Sequence, residues 1–156
     1  MIAHVLALIS NKFYGREVDV HKVVTLDVFH EASEVITGDM ATSIKYFNPE
    51  IKKAYKDIEK VANERLLRML PKEIQEDYVN LLKEEKRDIR AYAYVKAADK
   101  ISAYLKCLEE LKAGNQEFKM AKRAIKAQVD EIDMPEVAYF MENFAHSFSL
   151  TLDELN

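Results

Sequence analysis

A chain of 156 residues is long enough to bury about two-thirds of the surface its unfolded form would expose, so it folds as one domain without staples. Apolar residues make up 49% and charged residues 32%, with only three Gly and three Pro, which suits a compact all-α protein and argues against a sheet-rich fold with many turns. The net charge of -4 comes from interspersed acids and bases, so neither a nucleic-acid polymer nor a membrane surface is an implied partner. A single Cys107, set in an apolar helical pattern, excludes a disulfide framework and fits a reducing compartment. It reads as a small buried hydrophobe. Met1 to Ile9 is apolar but short and lacks the basic lead-in and cleavage site of a secretion signal, so the chain reads as cytoplasmic.

Met1 to Ser10 has helical spacing that is already running at the first residue, as in a helix entered part-way. Asn11 to Gly15 makes a turn, and Asp19 caps a helix whose apolar run, Val20 to Ile36, meets no breaker until Gly38. After a loop from Asp39 to Phe47, Asn48-Pro49 starts a helix to about Leu70 with Ile51, Tyr55, Ile58, Ala62, Leu66 and Met69 inward. Pro71 opens the next helix, with Ile74, Tyr78, Leu81 and Leu82 apolar, and it fades in the charged run Lys83 to Arg87, read as solvated surface. The longest helix then runs to Ala113, with Tyr94, Val95, Ala98, Ile101, Leu105 and Leu108 inward and Gly114 just past its end. Asn115 caps a helix to about Asp130, and Pro135 opens one to about Ser147. Thr151 and Glu154 have capping-box spacing. His4 and His146 read as core or boundary histidines, and His21 as solvated.

Chemistry concentrates in Phe29 to Asp39. Asp27, His30, Glu31 and Glu34 stand at i, i+3, i+4 and i+7, which lines up an imidazole and three carboxylates on one stripe of an apolar helix. Carboxylates in such a place need a cation, a hydrogen-bond network or solvent. Asp99, beside core-facing positions of a second helix, is similarly placed, and the two together suggest a divalent-metal site between helices. There is no Gly-rich phosphate loop, no Cys-x-x-Cys and no Gly-x-Ser-x-Gly elbow.

The chain resembles the HD-domain metal-dependent phosphohydrolases, and within them the bacterial 5′-deoxynucleotidases. The matching text is Phe29 to Asp39, Lys45-Tyr46-Phe47-Asn48, Val95 to Asp99, Ala103 to Leu111 on to Gly114-Asn115, Tyr139 to Glu142, and Ser147-Phe148 to Glu154. The resemblance implies a single HD domain over residues 1–156 and a divalent cation such as manganese or cobalt. It also implies hydrolysis of deoxynucleoside 5′-monophosphates, and a homodimer. By position it makes His30 and Asp99 metal ligands and Glu31 a further ligand. Glu34 becomes the acid/base residue, and Asp39, Met40, Ala41 and Thr42 the loop that holds the nucleotide. Two departures are expected to matter. The family's first metal histidine would fall about a turn and a half ahead of Met1, so the chain is N-terminally short of the pattern, and His4 lies on another face. The pair that should read His-Asp reads His30-Glu31, which moves the carboxylate by about 1.5 Å. These departures motivate a rival of a different class: a catalytically silent helical protein that kept the fold for binding or assembly.

Overall fold

A computed structural model describes residues 1–39, 49–151 and 153–155. All regular structure among them is helical. The chain divides into two compact units, one built from Met1–Val24 and Arg90–Asn156, the other from Thr25–Ile89.

The first unit is organised around α6 (Ile89–Lys112), which buries Ala91, Tyr94, Val95, Ala97, Ala98, Ile101, Tyr104, Leu105, Cys107 and Leu108. These include all six positions expected to face inward. An apolar arc this wide marks a helix covered on several sides, and each fully buried aliphatic side chain contributes about 1.5–3 kcal/mol. The helix ends at Gly114, whose φ of 92° is a backbone state that glycine reaches without strain. There the Asn115 amide donates to the Glu110 carbonyl at 2.9 Å and the Gly114 amide to Leu111 at 3.0 Å. This pair satisfies carbonyls that a helix end leaves open. The Asn115 side chain then accepts from the Glu117 amide at 3.3 Å as the chain turns into α7 (Phe118–Asp130).

α1 (Ile2–Phe13) buries Ala3, Leu6, Ala7, Ile9 and Ser10 and packs against α8 (Pro135–Asn143). Its end is tied down at several points. Phe13 stacks on Tyr139 with ring centroids 4.8 Å apart, the Tyr14 hydroxyl donates to the Pro135 carbonyl at 3.2 Å, and Arg16 pairs with Glu136 at 3.1 Å. Glu136 is fully buried. The Arg16 guanidinium, held above its ordinary value first by a hydrogen bond to Tyr94 and then by the Glu136 charge, is the cation that makes this burial tolerable. Tyr94 also meets Ser10, oxygen to oxygen at 2.9 Å. The helix expected from Pro135 to Ser147 stops at Asn143, and a 3₁₀ segment, Ala145–Ser149, follows. The Asn143 side chain donates to the Tyr139 carbonyl at 2.8 Å, a local competitor of the helical ladder, and Phe144 leaves helical geometry with φ -120°. His4 and His146, expected at the core or its boundary, are exposed. A last 3₁₀ turn, Asp153–Leu155, is closed by Glu154, which accepts from the Thr151 amide at 2.7 Å as the capping-box spacing required.

α2 (Val20–Phe29) begins in the first unit, where Asp19 accepts from the Lys22 amide at 3.0 Å as the expected cap, and passes into the second. The second unit continues with α3 (Glu34–Thr37), α4 (Pro49–Met69), α5 (Lys72–Leu82) and a 3₁₀ turn, Glu84–Lys86. α4 buries Tyr55, Ala62 and Leu67, but Ile58 and Met69, expected inward, are 53% and 72% exposed, and Ile74 of α5 is 39% exposed. α3 and α5 pack on α4, and Lys56 of α4 pairs with Glu84 of the 3₁₀ turn at 3.6 Å. The strip that α4 buries is narrower than the sequence stripe supplies. Phe29 meets Tyr78 edge-on at 5.5 Å, fixing the end of α2 against α5.

Candidate metal centre

The helix expected to run unbroken from Val20 to Ile36 ends at Phe29, and residues 30–33 form tight turns before α3 begins at Glu34. Hydrogen bonding gives the reason. The His30 ring nitrogen Nδ1 lies 2.6 Å from the Asp27 carbonyl, the acceptor that a continuing α-helix would have offered to the Glu31 amide. The next carbonyl but two is diverted as well, because the Arg87 guanidinium donates to the His30 oxygen at 3.4 Å. The backbone tightens to three-residue spacing: Ala32 donates to Phe29 at 3.1 Å, Glu34 to Glu31 at 2.9 Å and Ile36 to Ser33 at 2.9 Å. The stripe Asp27, His30, Glu31, Glu34 is therefore carried by a helix end and a turn, not by one cylinder.

A carbonyl only accepts, so the contact with Asp27 places the ring hydrogen on Nδ1 and the lone pair on Nε2, the atom that could face a cation. That Nε2 is 3.5 Å from Glu31 Oε1. Two ligands held about 2.1 Å from one tetrahedral ion stand about 3.4 Å apart, so this spacing suits a shared cation, with the Asp27 carbonyl as the outer partner that fixes ring tautomer and orientation. In the metal-free protein the imidazole is held above its ordinary value of 6.5. The hydrogen bond to Glu31 is the main cause, partial burial works the other way, and the Asp27 carbonyl adds to the rise. The glutamate in place of the family's aspartate thus still brings its carboxylate to the histidine.

Glu34, half-buried, opens α3. That short helix stops at Gly38, φ 70°, where the Tyr55 hydroxyl donates to the Gly38 carbonyl at 2.8 Å and Thr37 Oγ1 to the same oxygen at 3.0 Å. Asp39, exposed, follows this pinned turn. Met40, Ala41 and Thr42 lie outside the described residues, as do Lys45 to Asn48. Asp99 stands exposed on α6 in the first unit.

Two supporting residues were not singled out by sequence reasoning. Arg87, read as the end of a solvated charge run, is only 8% exposed, and it also donates to the Leu81 carbonyl at 3.0 Å, closing the C-terminal end of α5. Its signal was its own chemistry, since a planar fork of donors suits stranded carbonyls in a way a lysine does not. Tyr55 was assigned to the core, but its hydroxyl locks the Gly38 turn.

The model of the family described as 5′-deoxynucleotidase YfbR-like matches residues 1–148. The chain belongs to that family. Among curated relatives it is similar to the 5′-deoxynucleotidase of Shewanella oneidensis, 47% identical over 156 residues, covering 100% of this chain and 80% of that protein. It is also similar to the 5′-deoxynucleotidase of Vibrio cholerae, 49% identical over 155 residues, 99% of this chain and 80% of that protein. The 5′-deoxynucleotidase of Yersinia pestis is 48% identical over 155 residues, 99% of this chain and 79% of that protein. The family expected from the Phe29–Asp39 and Val95–Asp99 text is borne out, and the likeness runs through the whole chain.

Proposed function

We propose that this protein is a metal-dependent 5′-deoxynucleotidase, removing phosphate from deoxynucleoside 5′-monophosphates. The observation that carries the reading is identity of 47–49% along the full chain to proteins named for that activity. The His30–Glu31 pair, set at the spacing of two ligands of one ion, supports it. His30 and Glu31 hold the cation, Asp99 is the third ligand, and manganese or cobalt suits the mixed nitrogen and oxygen donor set. A divalent cation there supplies charge neutralisation at the phosphate and makes water acidic near neutral pH.

The protein does the rest. His30, kept in one tautomer by Asp27, offers Nε2 as a neutral donor. Glu34 takes the proton from the attacking water at its carboxylate; as oxygen adds in line to phosphorus the bond to the 5′-oxygen breaks, and Glu34 returns the proton to that oxygen, releasing nucleoside and inorganic phosphate. Asp39, set by the Tyr55-locked turn, engages the sugar, and Met40, Ala41 and Thr42 complete the loop that holds the nucleotide. The enzyme acts as one HD domain and as a homodimer in the cytoplasm. The family's likeness in sequence supports the first two. For the third, no helix among the described residues is long and apolar enough to cross a membrane, and the lone cysteine is a buried free thiol.

The test is phosphate release from a panel of monophosphates with manganese or cobalt present. Release should favour deoxyribose substrates and fall at least about a hundredfold in Glu34→Ala. His30→Ala and Asp99→Asn should purify with substoichiometric metal. A wild-type chain that takes up metal and releases no phosphate from any member of the panel would sink the proposal. The rival reading, a silent assembly protein, requires that wild-type protein take up no stoichiometric metal even when the ion is supplied.

A further inference from the structure

A concavity lies wholly within the first unit. It is a groove of about 570 Å³ between α7 on one side and α8 with the following 3₁₀ segment on the other, floored by α6. That volume is in the range of small-molecule sites. Its floor is Tyr104 and Leu108, with Met141 on the α8 wall. Tyr104 is the informative residue. It is only 9% exposed, and its hydroxyl has no hydrogen-bond partner among the described residues. Tyr104 is one of the residues that line the groove. A phenol this deep ordinarily finds a partner.

The lining carries two lysines and two carboxylates, which are not all paired with one another. On the α7 wall Lys126 is neutralised by Asp130, while Lys122, half-buried one turn earlier, has no hydrogen bond or ion pair among the described residues. Its ammonium lies near enough to α6 to act on the Cys107 thiol. Across the groove stands His146; Ser149 Oγ donates to the His146 carbonyl at 2.7 Å and accepts from Nδ1 at 3.5 Å, which leaves the lone pair of the neutral ring on Nε2. The carboxylate on this wall, Glu142, is exposed. An ammonium and a deep phenol hydroxyl, both without an acceptor among the described residues, stand beside a floor of Tyr104, Leu108 and Met141.

We propose that this groove binds a small organic anion, with a phosphate- or phosphonate-like oxyanion held by Lys122 and Tyr104 and a flat apolar body laid on Leu108 and Met141. The site is separate from the His30–Glu31 pair and does not depend on the proposed activity. The probe is phenylphosphonate, whose carbon–phosphorus bond a phosphomonoesterase does not cleave, titrated into the whole chain by calorimetry and by amide NMR, with inorganic phosphate and benzyl alcohol as half-ligands. Phenylphosphonate should bind one-to-one and shift amides around Lys122, Tyr104 and His146. Lys122→Glu should weaken it about tenfold and Tyr104→Phe about threefold, with both half-ligands weaker than the whole. His30→Ala should bind it as the wild type does. Three results would each overturn the proposal: affinity unchanged in both groove variants, affinity lost in His30→Ala, or inorganic phosphate bound as tightly as phenylphosphonate. Tyr104→Phe removes one oxygen from a buried ring and keeps its packing, so a misfolded Lys122→Glu would still leave the question answerable.

Discussion

Arg87→Met isolates what holds the His30 turn in place. The guanidinium donates to the Leu81 carbonyl at 3.0 Å and the His30 carbonyl at 3.4 Å, from a site only 8% exposed. Hydrogen bonds from a charged donor contribute about 1.5–3 kcal/mol each, and the longer of these two sits at the weak end. Methionine fills similar apolar volume but leaves both carbonyls without that donor, so the loss should be about 3 kcal/mol out of a total of about 5–15. With a urea slope of about 2 kcal/mol/M, the unfolding midpoint falls by about 1.5 M. Lys86→Met, one residue away on the exposed 3₁₀ turn, should stay within about 0.5 kcal/mol of the wild type. Arg87→Lys should fall between the two, since it keeps the charge but not the fork. Because the carbonyl that Arg87 holds is that of His30 itself, cation affinity should drop about tenfold in Arg87→Met and not at all in Lys86→Met. Urea midpoints for Arg87→Met and Lys86→Met that coincide would refute the argument and return Arg87 to the solvated run.

The raised His30 titration makes two pH dependences. A proton competes with the cation at Nε2, so metal affinity should climb through and above pH of about 6.5 and level once His30 is neutral; Glu31→Gln, which removes the main cause of the shift, should move the climb to lower pH, as followed by calorimetry. Without metal the sign reverses. The charged pair with Glu31 stabilises the fold fully below the unfolded histidine value of about 6.5 and is lost as pH rises through the higher folded value, visible as a falling melting temperature. Gly114→Ala should cost about 1 kcal/mol in urea unfolding from the positive φ alone, because a Cβ there meets nothing within 4 Å. Cys107, 2% exposed and with its thiol pushed up first by burial, should resist a thiol reagent until the protein unfolds, and rapid labelling of native protein would contradict its place in the core.

Periodicity read the first unit well where packing alone decides. Every inward position expected on α6 is buried, and Gly114, Asp19 and the Thr151–Glu154 pair cap as their residue types require. It failed where a side chain takes a backbone acceptor. Nothing in the apolar run Val20 to Ile36 signals that the His30 ring occupies the Asp27 carbonyl or that an arginine 57 residues on takes the carbonyl of His30 itself, and those bonds end the helix. It failed again on α4, where the stripe is wider than the strip its neighbours cover and Ile58 and Met69 face out. The closeness of His30 and Glu31 was legible from their adjacency, but the ring tautomer was not, since it depends on a backbone oxygen.

The bonds between Tyr14 or Arg16 and the start of α8 join residues 120 or 121 positions apart, and the unit they close is made from both ends of the chain. The segment Thr25–Ile89 is continuous, and it emerges from the ribosome complete while α1 still has no α8 to pack on. α1 is therefore made well before the helix it packs on, and until α8 emerges the apolar side of α1, with Leu6 and Ile9, is open to other chains. The interval of exposure to misassembly lasts until residues 135–143 have left the ribosome. A substitution that weakens the Arg16–Glu136 pair would lengthen that interval and reduce soluble yield before it altered the finished protein.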